Sequence, residues 1–223
     1  MTKIEKIFEI LKNIYPDPKT ELDYSTPFQL MVAVVLSAQT TDKQVNKITP
    51  AIFAHVKTPE DLLKFYGKQE KFEKAVSGVN YYKTKAKNIW KMAQMIDAKA
   101  IKALSGDKSF AIHTEAALQE LMKLPGIGIK SAKVIGHVLW DLPVIAVDTH
   151  VHRVVNRRWI LATSTPEETS EILEKIVPMK YKDFAHHAIV LFGRYICTAK
   201  KPQCQECKLK KLCEYYTTLL LCA

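Results

Sequence analysis

Apolar residues recur at three- and four-residue intervals along most of this chain, and the elements they predict are helices. Ile4, Ile7, Phe8 and Leu11 follow this spacing at the start, and Leu62, Leu63 and Tyr66, then Ile172, Leu173 and Ile176, follow it later; it gathers side chains on one helical face. Three segments share one opening: Thr26-Pro27-Phe28-Gln29, Thr58-Pro59-Glu60-Asp61 and Thr165-Pro166-Glu167-Glu168. Each puts threonine at the N-cap, where its hydroxyl satisfies an orphan amide, and proline at the first helical position, where no amide is needed. An acidic or amide side chain then stands three residues after the cap. The run from Leu30 to Leu36 is apolar on every side and predicts a central, fully buried helix. The only strand-like stretch, Leu142-Pro143-Val144-Ile145-Ala146-Val147, is short, has proline near its start and lacks an evident partner, so it reads as a loop. The class is all-α, with about ten helices. The least readable stretch runs from Ala98 to Thr114, with a turn at Ser105-Gly106-Asp107. No repeat, low-complexity segment or flexible linker interrupts the pattern.

Composition narrows the partner. The 223 residues are 48% hydrophobic, ordinary for a packed globule, and the charge is 33 − 23 = +10, which favours a polyanion. The amphipathic start lacks the uninterrupted apolar core of a signal peptide. The longest apolar run is far short of the ~18 residues a membrane span needs. A soluble, cytoplasmic chain with no membrane partner is expected. In a reducing compartment, clustered cysteines are metal ligands before they are disulfides. Cys197, Cys204, Cys207 and Cys213 follow C-x6-C-x2-C-x5-C, with Cys222 outside the pattern. Such a set can hold one iron–sulfur cluster or one zinc ion. Lys200, Lys201, Lys208, Lys210 and Lys211 lie on the same segment and suggest a phosphate-facing surface.

Two further motifs carry chemistry. Leu124-Pro125-Gly126-Ile127-Gly128 separates two helical patterns. Its glycines allow a tight turn and close approach of another molecule, and the free amides of the following helix can grip a phosphate without reading sequence. This is the pattern of a helix–hairpin–helix motif; the alternative is a plain helix–helix turn with glycine caps. Lys130 stands at the start of the second helix, where the macrodipole opposes its positive charge and favours a neutral, nucleophilic amine. The alternative is a solvated lysine beside a phosphate site. Asp148, in Val147-Asp148-Thr149-His150-Val151-His152-Arg153, precedes the apolar pattern Val151, Val154, Val155 and is a natural N-cap. A carboxylate held that rigidly also suits proton transfer.

With these motifs in this order, the chain resembles the endonuclease III family, bifunctional DNA glycosylases of the helix–hairpin–helix superfamily. The resemblance rests on LPGIGIKSA at 124–132, VDTHVHRV at 147–154, the four cysteines, and Leu36-Ser37-Ala38-Gln39-Thr40-Thr41-Asp42. It implies two helical domains flanking a DNA-binding cleft. One is a six-helix barrel, residues 20–142, ending in the hairpin; the other joins residues 1–19 to 143–223 and carries a [4Fe–4S] cluster loop at 197–213. It implies Lys130 as nucleophile, opposite Asp148 as its catalytic partner, and Cys197, Cys204, Cys207 and Cys213 as cluster ligands. Gln39 resembles the residue that fills the gap left by an extruded base, and Val79 the apolar wedge entering the stack. Leu124, Gly126, Gly128, His150, Lys200, Lys201, Lys208 and Lys210 complete the expected DNA contacts. The partner implied is double-stranded DNA with damaged pyrimidines or abasic sites, bound by a monomer.

The sequence departs from the family at four places. Ile129 stands where a basic residue is usual, Asn80 and Tyr81 where glycine and a bulky apolar residue are common, and Lys133 where asparagine is common. The usual Val-Pro is absent around Ile112-His113. Two competing readings remain at this level. A monofunctional adenine-mismatch glycosylase would lack the lysine at 130 and carry an extra C-terminal domain. A catalytically inactive module would use the hairpin only to hold phosphates. The adjacent pair His186 and His187 points in directions about 100° apart, which disfavours a shared metal ion.

Overall fold

A computed structural model describes residues 1–96, 114–157 and 160–221. The turn expected at Ser105-Gly106-Asp107, the Ile112-His113 departure and Cys222 lie outside these residues. Among the described residues there are twelve α-helices and no strand. They are α1 (Lys3–Ile14), α2 (Pro27–Ser37), α3 (Asp42–Phe53), α4 (Pro59–Tyr66), α5 (Gln69–Ala75), α6 (Tyr82–Met95), α7 (Thr114–Met122), α8 (Ile129–Trp140), α9 (Thr149–Asn156), α10 (Pro166–Ile176), α11 (Met179–Tyr195) and α12 (Glu214–Leu221). No helix among the described residues is long and apolar enough to cross a membrane. The chain divides into two compact units, one formed by Glu21–Leu142 and the other by Met1–Thr20 with Pro143–Ala223.

The Glu21–Leu142 unit is built around α2. Every residue from Phe28 to Leu36 is buried, and α2 packs against α3, α6 and α8. The apolar run is therefore the hub of its unit, as its pattern predicts. Thr26, Thr58 and Thr165 all serve as N-caps ahead of a proline, but only Thr58 closes a full capping box, with Asp61. Gln29 does something else. Its Oε1 accepts from the Ser25 amide and hydroxyl, at 2.8 and 2.7 Å. Its Nε2 donates to the carbonyls of Phe53 and Val56, at 3.2 and 2.8 Å. A side chain that capping alone would leave on the surface is thus buried, tying α2 to the end of α3.

The other unit has its own core. Phe8 of α1 stacks on Tyr181 of α11 with ring centres 5.4 Å apart, and Phe184 meets both rings edge-on. Val151, Val154 and Val155 of α9 complete it. The glycine at 193 permits a close helix crossing: a Cβ there would come within 3.0 Å of His150 Cβ and Val154 Cγ2. The stretch Val144–Val147 is buried without being a strand. Three of its backbone groups meet side chains instead of a neighbouring strand. The Ile145 amide donates to Glu174 Oε1 (3.1 Å), Ser170 Oγ donates to the Ile145 carbonyl (3.0 Å), and His186 Nδ1 lies 2.7 Å from the Ala146 carbonyl.

Replacing Gln29 with leucine keeps the volume but strands two buried carbonyls. The expected loss is about 3 kcal/mol, at 1–3 kcal/mol for each unsatisfied group. It would be read by urea unfolding, and a loss below about 1 kcal/mol would show that water replaces the amide.

Candidate functional site

The hairpin between α7 and α8 is set by one residue. Gly126 has φ +87°, in the left-handed region, and a Cβ there would lie 3.1 Å from Asn88 Cβ and 3.3 Å from Val35 Cγ1. Backbone conformation and close packing on α2 and α6 both demand glycine. The Ile127 amide closes the turn on the Leu124 carbonyl at 3.1 Å, with Leu124 half-buried. Gly128 differs. Its backbone is extended, it is the N-cap of α8, and no side chain caps that end. Nothing stands within 4 Å of where its Cβ would be. The first amides of α8 therefore lie beside open space, the arrangement that binds an anion. Ile129 is 43% exposed there, an apolar surface where the related pattern carries a charge. Lys130, in the first turn, is exposed.

Asp148 ends the side-chain-anchored stretch and caps α9, its Oδ1 accepting from the Val151 amide at 2.8 Å. The N-cap expected there is present. His150, in the first turn, is half-buried; burial pushes its pKa down, and the Asp148 carboxylate opposes that. Arg153 lies beside it, with Nη2 3.3 Å from His150 Nδ1 and 2.7 Å from the Gly193 carbonyl to which it donates.

Cys197, Cys204, Cys207 and Cys213 are free thiols that line one small pocket with Phe192, Leu209 and Tyr215. Among the described residues, no group of three or more His, Cys, Asp or Glu side chains is set to hold a metal ion. The chemistry of the donor set nonetheless fits a cationic inorganic centre. Burial pushes the thiols of Cys197, Cys204 and Cys207 up, and neighbouring thiolates push the same way. Thiolates that are costly to form beside one another are stabilised by positive charge between them. Around them run Lys200, Lys201, Lys208 and Lys211, all exposed, and half-buried Lys210, whose Nζ donates to the Gln205 carbonyl at 2.6 Å.

Sequence reasoning missed Arg157. Its Nη1 donates to Cys197 Sγ at 3.1 Å and to the Thr198 carbonyl at 2.8 Å, its Nη2 to the Ala199 carbonyl at 2.9 Å, and its guanidinium lies over the Tyr215 ring. An arginine at a helix end reads as solvated. The sole signal was its place one turn after Arg153 on the Asp148 helix.

Two loops of the Glu21–Leu142 unit carry the remaining candidates, Gln39 and Val79. Gln39 is exposed and holds φ +53°. Val79, expected to be the wedge, is only 4% exposed. Its side chain packs into its own unit, and to enter a base stack it would have to leave that core. The exposed tip of the loop is Tyr81, at 68% exposure and φ +56°, which is the residue standing where a bulky apolar side chain is common.

Residues 32–179 match the family model described as HhH-GPD superfamily base excision DNA repair protein. Endonuclease III of Rickettsia conorii is 40% identical over 216 residues, covering 97% of each chain. Endonuclease III of Escherichia coli (strain K12) is 37% identical over 210 residues, covering 94% of each. The structure of a trapped endonuclease III–DNA covalent intermediate superposes with a TM-score of 0.83 at 36% identity, over 99% of both chains. A thermostable thymine-DNA glycosylase shares the fold, with a TM-score of 0.79 at 21% identity. The chain belongs to the HhH-GPD superfamily of base excision DNA repair proteins, as a member of its endonuclease III family.

Proposed function

We propose that this chain is a DNA glycosylase and abasic-site lyase that removes oxidised or ring-saturated pyrimidines from double-stranded DNA and then cuts the strand. One observation carries the assignment of the chemistry. Lys130 is exposed in the first turn of α8, two residues beyond an open glycine hairpin whose free amides suit a phosphate. A nucleophile beside a phosphate grip is delivered to the sugar, not to the base edge.

A base inside a duplex must first be extruded, which costs a few kcal/mol and less where stacking is already poor. Saturated pyrimidines are non-planar, so their weak stacking favours their selection. Tyr81 is the wedge in this reading, and Gln39 fills the vacated space. The Lys130 Nζ lone pair attacks C1′, and the C1′–N bond breaks with its electrons leaving on the base, which takes up a proton. Ring opening leaves a Schiff base between lysine and sugar. Loss of a C2′ proton then expels the 3′ phosphate by β-elimination. Asp148, fixed at the α9 cap, serves proton transfer and steadies the positive charge that develops on the sugar.

Cys197, Cys204, Cys207 and Cys213 would hold a [4Fe–4S] cluster, which supplies structural cross-linking of the 197–213 loop. The lysines of that loop then meet the DNA backbone as a fixed surface, and no redox step is needed.

Borohydride reduction in the presence of duplex DNA with an abasic site tests the reading. The wild-type chain should form a covalent adduct and Lys130→Ala should not. No adduct, or equal trapping by Lys130→Ala, would rule out this chemistry. Asp148→Asn separates capping from catalysis, because asparagine caps a helix about as well as aspartate. It should leave thermal stability nearly unchanged and slow single-turnover base release by about 10²-fold or more. An unaltered rate would reduce Asp148 to a cap.

A further inference from the structure

Lys85 of α6 is buried, with 5% exposure, an uncommon position for an ammonium group. Its Nζ donates to the Leu36 carbonyl at 2.8 Å and to Thr40 Oγ1 at 3.0 Å. Leu36 lies in the last turn of α2, whose free carbonyls carry partial negative charge. This placement offsets part of the cost of burial, which pushes the lysine's pKa down. A leucine or methionine would fill the same space more cheaply, so the ammonium calls for an explanation in what it joins.

It joins two loops. Thr40 Oγ1 also accepts from the Asn80 amide at 3.2 Å, and Asn80 Nδ2 donates to the Gln39 carbonyl at 2.7 Å. Gln44 of α3 closes the set, its Nε2 donating to the Gly78 carbonyl at 2.8 Å. A Cβ on Gly78 would come within 3.1 Å of Ile48 and 3.2 Å of Gln44, so the 78–82 loop lies hard against α3. Both exposed loop tips, Gln39 and Tyr81, are non-glycine residues with left-handed φ. Such conformations persist where surroundings over-determine them, and they cluster at functional sites.

We propose that Lys85 is a positioning residue: through Leu36, Thr40 and Asn80 it locks the Gln39 loop to the Tyr81 loop, so that wedge and gap-filler act on the duplex as one rigid element. This inference rests on the glycosylase reading above. It assigns Lys85 no contact with DNA and no part in the covalent step. Its consequence is selective: base extrusion from a duplex needs the lock, whereas attack on an abasic site in single-stranded DNA, which has no base to extrude, does not.

The test uses Lys85→Met, Thr40→Val and the double variant in the full chain, each compared with wild type on two DNAs. Single-turnover base release from a duplex with a ring-saturated pyrimidine should fall by about tenfold or more in either single variant. The double variant should be no worse than the weaker single one, since residues in one network are not additive. Borohydride trapping on single-stranded abasic DNA should match wild type, which also reports that the chain is folded. Thr40→Val alters a partly exposed loop and gives a readout if Lys85→Met does not fold. Undiminished base release in Thr40→Val, or equal loss on both DNAs, would overturn the lock. A wild-type chain that forms no adduct with either DNA would overturn the glycosylase reading, and the inference with it.

Discussion

The arrangement of this protein's chemistry depends on the backbone turn at Gly126. A left-handed residue there, packed within 3.3 Å of Val35 and 3.1 Å of Asn88, seats the hairpin directly on α2 and α6. A side chain at that position would strain the left-handed backbone and press on Asn88 and Val35. Because α2 is buried from Phe28 to Leu36, the hairpin inherits the rigidity of the unit's core. The start of α8 is fixed, its first amides are open, and Lys130 follows in the first turn. Core packing thereby sets where the proposed nucleophile stands.

The same economy operates at Asp148. An extended stretch with no strand partner would be a liability in a core, yet both backbone groups of Ile145 and the Ala146 carbonyl meet Glu174, Ser170 and His186. These side chains hold the segment that delivers Asp148 to its cap position. The cap bond to Val151 then fixes the carboxylate. A rigid backbone and a single hydrogen bond orient this carboxylate without further machinery, and the proposed chemical role falls on the residue that already serves as a cap. This is why asparagine, which preserves one role and not the other, is the informative substitution.

Much of this was legible in the sequence because it is local. Thr26, Thr58 and Thr165 announce their helices through chemistry confined to four residues, and the all-apolar run of α2 can only be a buried helix or a short strand. The hairpin glycines, Lys130 and the cysteine spacing are equally local. What failed to read was the direction in which a loop residue points. Val79 and Tyr81 are two positions apart, and only the packing of the loop on α3 buries the first and exposes the second. Lys85 and Arg157 escaped for a related reason. A lysine or arginine reads as solvated unless its partners are known, and theirs come from residues 36 and 40, and from 197 to 199. Gln29 was placed correctly at a helix start, but its burial depends on carbonyls some twenty-five residues away.

The identity of the attacking amine can be read by peptide mapping, by mass spectrometry, of the chain after borohydride reduction with abasic DNA and nuclease digestion. A reduced sugar remnant should be found on one residue, Lys130. A remnant on any other lysine, or on the N-terminal amine, would contradict Lys130 as the nucleophile.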